Sequence, residues 1–193
     1  MSAKPSADDT GPRAVTAPTH ARLDDQAFDE LFRESAADVH AYAISLLGNR
    51  SAAEDVTALA FERLYRARAR LDHGRGTPRA WLFAIARNAA LDELRRRRRQ
   101  PQSELPAAEM ADDQGSEEAF EQIVRRASVR DALAALPLRE REVVLLKFHG
   151  QLSNSELAKA LDVSESNAGT RLHRALTRLR EECNGLEREE EIA

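Results

Sequence analysis

Asn167, Arg171, Arg174 and Arg178 recur at steps of four, three and four near the C-terminal end of the chain, so a helix through them carries all four on one face, with Thr170 beside them. An amide and guanidinium groups presented together share one chemistry. They donate hydrogen bonds in pairs, Asn to an adenine edge and Arg to guanine or to phosphate. Duplex DNA is the ligand this spacing suits.

Such a face needs a positioned helix behind it. The surrounding segment, LSNSELAKALDVSESNAGTRLHRALTRLRE (Leu152–Glu181), supplies two. Leu157, Ala158 and Leu161 form the inner stripe of the first, and Ala168, Leu172, Ala175, Leu176 and Leu179 that of the second. Between them Asp162 and Val163 make a short turn ending at Ser164, an N-cap residue, with Glu165 in the first turn where the helix dipole favours an acid. The pattern predicts a helix-turn-helix; an antiparallel helix pair with a solvated arginine face is the plainer alternative.

Charge is strongly segregated along the chain. The formal net charge is only -4, but from Arg63 to Arg99 twelve arginines face three acids, a net of +9. From Asp24 to Glu62 nine acids face Arg33 and Arg50, a net of -7. One half of that region suits phosphate and the other a basic protein.

The elements follow from periodicity and stop signals. Residues 1–23 hold Pro5, Pro12 and Pro18 among small polar residues and are expected to be a disordered tail. A helix starts near Asp24 or Asp25, carries Phe28, Leu31, Phe32, Val39, Tyr42, Leu46 and Leu47, and stops at Gly48 and Asn49. Ser51 is placed to cap a second helix with Val56, Leu59, Ala60, Phe61 and Leu64. A loop from Asp72 to Pro78 precedes a third, about Arg79 to Arg99, with Trp81, Leu82, Ile85, Ala89 and Leu94 available to the core. Residues 101–126 turn abruptly acidic and read as a flexible linker. A second domain, 127–182, has Leu133, Leu136 and Val143 to Leu146 as the core its helix-turn-helix requires. The final stretch, 183–193, reads as a fraying acidic tail. With no alternating strand pattern, the fold class is all-α: two small helical domains, at 24–100 and 127–182, joined by a flexible acidic linker, the C-terminal one a helix-turn-helix.

Several classes are disfavoured. One cysteine, Cys183, precludes an internal disulfide, and neither it nor the 5 histidines has metal-ligand spacing. There is no Gly-rich phosphate loop and no nucleophile with a nearby base, so no enzyme, cofactor or metal is expected. No apolar run reaches membrane-spanning length and the N-terminus lacks a secretory core, which points to the cytoplasm and to no membrane insertion.

Read in order, AEDVTALAFERLY, TPRAWLFAIARNAALDELRRRRR, a linker, ALAALPLREREVVLLKF and the helix-turn-helix resemble the extracytoplasmic-function sigma factors of bacterial RNA polymerase. The resemblance covers about residues 25 to 182. It implies promoter-specific transcription initiation, with core RNA polymerase and promoter DNA as partners and an anti-sigma factor as a further one. The helix at Ala53 to Tyr65 would dock on polymerase, with Glu54, Asp55 and Glu62 outward. The loop from Leu71 to Pro78 and the helix after it would read the melted -10 strand, for which His73, Arg75, Arg79, Arg87 and Asn88 offer hydrogen bonds and positive charge. The second helix of the helix-turn-helix would read the -35 duplex with Ser166, Asn167, Thr170, Arg171, Arg174 and Arg178. The chain departs from the family at Ala58 and Leu59, where a Gln-Glu pair is common, and at Gly169, where many relatives have Lys. A stand-alone helix-turn-helix regulator is the alternative; it leaves the acidic helix and the long tether without a role.

Overall fold

In the computed structural model, which describes residues 23–71, 76–99 and 127–190, every regular element is helical. The segments expected to be the N-terminal tail and the linker lie outside the described residues, apart from Leu23, which is buried against the core. Helix α1 spans Asp25–Leu47, with Asp24 capping it by accepting from the Ala27 N–H at 2.8 Å. It ends at Gly48, whose φ of 62° is a left-handed conformation that glycine adopts without a Cβ clash. Helix α2 spans Arg50–Ala67 and passes into a 3-10 turn, Arg68–Arg70. Its cap is Asn49 and not Ser51: the Asn49 backbone is extended and its side chain accepts from Ala52, so the helix starts two residues earlier than expected. Helix α3 spans Pro78–Arg99, with proline at its first position, where no N–H is needed, and the Thr77 hydroxyl accepting from Ala80 at 3.2 Å.

A helix over 127–135 forms α4, followed by α5 (Leu138–Phe148), α6 (Asn154–Leu161) and α7 (Glu165–Glu190). Helix α6 opens on a reciprocal capping box between Ser153 and Glu156 and ends at Asp162 in a left-handed conformation. Ser164 caps α7 as expected, accepting from Asn167 N at 3.2 Å. The C-terminal stretch departs from expectation: α7 continues through Glu190, past the weak helix formers Cys183, Asn184 and Gly185 and into a run of leucine, glutamate and arginine residues that favour helix.

The larger departure is in packing. Helices α1 to α3 form a bundle around Val39, Tyr42, Leu64, Leu82, Phe83 and Ala86, with Tyr42 and Phe83 edge to face at 5.8 Å. Val143, Leu145, Leu146, Leu152 and Leu157 belong to that same core, so α5 packs on α1 and α6 on α3. Among the described residues, Leu136, Val144 and Ala175, with Leu133, Leu176 and Leu179 around them, make a separate cluster between α4, α5 and α7. Four consecutive buried apolar residues, Val143 to Leu146, wrap more than one side of a helix. A helix-turn-helix can cover one of those sides, and the α1 to α3 bundle covers the other.

Candidate nucleic-acid interface

The face of α7 stands open. Ser166, Asn167, Thr170, Arg171, Arg174 and Arg178 are all exposed, while Ala168 and Ala175 on the opposite side are fully buried. Among the described residues neither Arg171 nor Arg174 has a hydrogen-bond or ion-pair partner. Two others are engaged. Thr170 donates its hydroxyl back to the Ser166 carbonyl at 3.0 Å, and Arg178 is held bidentate by Glu140, with both bonds at 2.9 Å. That pair is partly exposed and orients Arg178 more than it stabilises the fold. Gly169 sits at the same helix turn, and a Cβ placed on it meets nothing within 4 Å.

The basic face of α3 is in the opposite condition. Arg79 donates to four acceptors: Nε to the Gly150 carbonyl at 2.9 Å, Nη1 to Ser35 Oγ at 3.0 Å, and Nη2 to both Asp38 Oδ2 at 2.5 Å and the His149 carbonyl at 2.7 Å. Arg87 pairs with the buried carboxylate of Glu142 on α5, side-chain exposures being 18% and 6%. Its Nη1 also donates to Asn88 Oδ1 at 3.3 Å, and Asn88 itself is exposed. His73 and Arg75 lie outside the described residues. Of the five groups expected to read single-stranded DNA, Arg79 and Arg87 are therefore occupied by the C-terminal half of the chain, and neither is the open cation the charge pattern suggests.

A third link closes the seam. Thr77, at the start of α3, donates its N–H at 3.3 Å and its hydroxyl at 2.6 Å to Glu156 Oε1, in the first turn of α6. The carboxylate thus lies at the N-termini of two helices, where their dipoles favour negative charge. Burial opposes its ionisation, but the bonds from Thr77 and Ser153 outweigh that and hold the carboxyl down at about 2. Burial also lowers the pKa of His149, partly offset by Asp38. Beneath Arg87 the Tyr42 hydroxyl is buried without a hydrogen-bond partner among the described residues. Burial raises its pKa, the nearby Glu142 raises it further, and Arg87 acts the other way. Trp81 packs against the core at the edge of this seam, as its apolar spacing predicts.

Ser35, Asp38, Glu142, Glu156 and the carbonyls of His149 and Gly150 are not candidates on sequence. Glu142 alone carries a signal, as an acid leading directly into the apolar run Val143 to Leu146. Backbone carbonyls carry none.

The acidic face of α2 is exposed as expected. Glu54 and Glu62 each take one intrahelical partner, Arg50 at 3.1 Å and Arg66 at 2.7 Å, and Asp55 lies beside them. At the far end of α3 the arginine run is partly spoken for. Arg95 pairs with Asp92, and Arg96 and Arg97 converge on Glu93, whose carboxyl the Arg96 hydrogen bond holds below the ordinary range. Only part of that run is therefore without an acidic partner among the described residues.

Residues 31–100 match the sigma-70 region 2 family and residues 126–179 the sigma-70 region 4 family. The chain belongs to the extracytoplasmic-function sigma factors. It is 33% identical over 158 residues to the ECF RNA polymerase sigma factor SigE of Mycolicibacterium smegmatis, covering 80% of this chain and 61% of that one, so it spans about three fifths of that relative's length. To the RNA polymerase sigma factor CarQ of Myxococcus xanthus it is 32% identical over 170 residues, covering 84% of this chain and 92% of that one. In fold it is similar to the sigma factor RpoE of Bartonella quintana, solved in complex with the anti-sigma factor NepR, with a TM-score of 0.66 and 23% identity over 82% of this chain and 98% of that one. Helices α1 to α3 of this sigma factor are thus its region 2, and α4 to α7 its region 4. Membership makes it a factor for promoter-specific transcription initiation. The stand-alone regulator is not favoured, since region 2 spans the acidic helix and the α3 face that such a regulator leaves without a role.

Proposed function

We propose that this sigma factor binds core RNA polymerase through the exposed acids of α2, Glu54, Asp55 and Glu62, reads the -35 duplex with α7, and takes the melted -10 strand on α3. The α7 readers are Ser166, Asn167, Thr170, Arg171, Arg174 and Arg178; those for the strand are Arg79, Arg87 and Asn88, together with His73 and Arg75. The observation that carries this reading is the open α7 face, where Asn167, Arg171 and Arg174 project from the second helix of a helix-turn-helix over a fully buried Ala168 and Ala175. Arginines along α3 suit a single strand, whose phosphates need cations whatever the base sequence.

The factor supplies no catalytic group and leaves nucleotide transfer to polymerase. It acts in the cytoplasm; no helix among the described residues is long and apolar enough to cross a membrane. An anti-sigma factor is proposed as its restraint, by extension from the Bartonella quintana complex. Reconstitution with core polymerase tests the whole reading. Promoter-dependent transcripts should appear only when the factor is added, and absence of both core binding and transcripts would refute it.

A further inference from the structure

We propose that the Glu142 carboxylate and the main-chain carbonyls of His149 and Gly150 are an internal stand-in for the melted DNA strand, by which region 4 holds the single-strand-reading face of α3 shut. This rests on the reading of α3 as that face. A single strand would offer arginine phosphate oxygens and base-edge acceptors; region 4 offers a carboxylate to Arg87 and two carbonyls to Arg79.

Occupancy makes the two ligands exclusive. A guanidinium has five N–H donors, and Arg79 already uses four, two of them on region 4. Arg87 and Glu142 have their charged groups largely withdrawn from solvent on opposite sides of the seam, so the Arg87 Nε is closed to a phosphate while Glu142 holds it, and only its Nη1 edge reaches towards the exposed Asn88. Leaving either charge buried and alone is strongly unfavourable, whereas the buried pair roughly offsets its own desolvation. Exchange of Glu142 for a phosphate therefore meets less resistance than simple separation, because Arg87 keeps an anionic partner throughout.

The rest of the surface is arranged to match. The α7 face and the α2 acids are exposed in this closed arrangement, so recruitment to polymerase and to a -35 duplex needs no opening. Only the strand does. Opening also uncovers Val143, Leu145 and Leu146, which favours the closed form of the free chain until a partner covers them. The -10 face then becomes available late, after the factor is bound elsewhere.

The test uses the full chain without polymerase and a fluorescein-labelled mixed-sequence single strand of about 20 nucleotides at low salt. Glu142→Gln keeps the side-chain size and removes the charge. It should tighten strand binding about tenfold by raising the open fraction, with a larger radius of gyration in X-ray scattering. Glu156→Gln preserves the capping box, weakens the Thr77 link, and should act in the same direction by about threefold; it carries the test if Glu142→Gln does not fold by circular dichroism. Asp131→Asn, an exposed acid on α4, controls for one lost negative charge and should change neither readout. Unchanged strand affinity in both glutamine variants, whether or not the chain expands, overturns the proposal. Adding Arg87→Gln to Glu142→Gln should abolish the gain. A gain that survives would show that the strand binds away from Arg87, and it is then the assignment of α3 that fails.

Discussion

On α7, Arg171 and Arg174 face solvent with every donor available, whereas on α3 Arg79 gives two of its four bonds, and Arg87 its Nε, to acceptors that region 4 contributes. The side-chain chemistry is the same and the availability opposite. The difference follows from how each helix is buried. Helix α7 needs cover on one narrow stripe, Ala168, Leu172 and Ala175, and leaves the rest outward. Helix α3 is gripped on two sides, by the bundle through Leu82, Phe83 and Ala86 and by α6 across the seam, so Arg79 and Arg87 lie in a groove between domains. An arginine at the right spacing is therefore not by itself an open donor; which neighbour reaches it decides whether it is.

The widest separation of the two faces should appear in holoenzyme. Arg171→Ala removes a bidentate donor and should weaken -35 duplex binding by about 1–3 kcal/mol, with little change on a template already opened as a bubble. Asn88→Ala, on the exposed edge of the α3 face, should do the reverse, slowing opening on a closed template while duplex binding holds. Gel-shift affinity and permanganate reactivity of the opened region measure the two steps separately. If both variants damage both steps equally, the division of labour is wrong.

A smaller effect should come from pH, through the seam alone. The Glu156 carboxyl is held at about 2 against an ordinary value of 4.5, so the folded form prefers it charged. Its contribution is complete above the ordinary value and is lost as pH falls from 4.5 towards 2. The group is only partly buried and other carboxylates titrate in the same window, so the diagnostic is a difference. By X-ray scattering, wild type should be more compact than Glu156→Gln at neutral pH, and the two should converge on acidification. A constant gap between them would remove Glu156 from the seam.

Much of this arrangement is legible in the residues, and the limit is physical. The helices, the Asp24 cap, the Gly48 stop, the Ser164 cap and the α7 face all follow from local rules, since a cap or a helical stripe depends on residues three or four apart. Closure of the α3 face depends on contacts spanning dozens of residues, with two acceptors that are main-chain carbonyls and invisible in side-chain types. Charge counting makes the basic segment look open because it ignores where acids arrive from. Glu142 sits next to an apolar run, and burying that run carries the carboxylate inward to Arg87. Asn49 displaces Ser51 for a more local reason: two capping residues two apart compete, and the one reached while the backbone is still extended wins.

The smallest expected change is the cleanest test of what belongs to α7 alone. Gly169 lies on the exposed helix of region 4, and a side chain there meets no neighbour, so Gly169→Ala should stabilise region 4 by about 1 kcal/mol through helix propensity, without new contacts. Gly169→Lys should give most of that gain and add one cation on the flank of α7 that position 169 shares with Ser166 and His173, to the side of the Arg171 and Arg174 face. If α7 lies in a major groove, that cation meets phosphate, and the slope of log affinity against log salt for a -35 duplex should steepen by about 1. The single strand on α3 gains no such contact, so its salt slope should stay fixed. Equal steepening of both slopes by Gly169→Lys would mean general attraction to nucleic acid, and the distinction between an open duplex reader and a closed strand reader would dissolve at its weakest point.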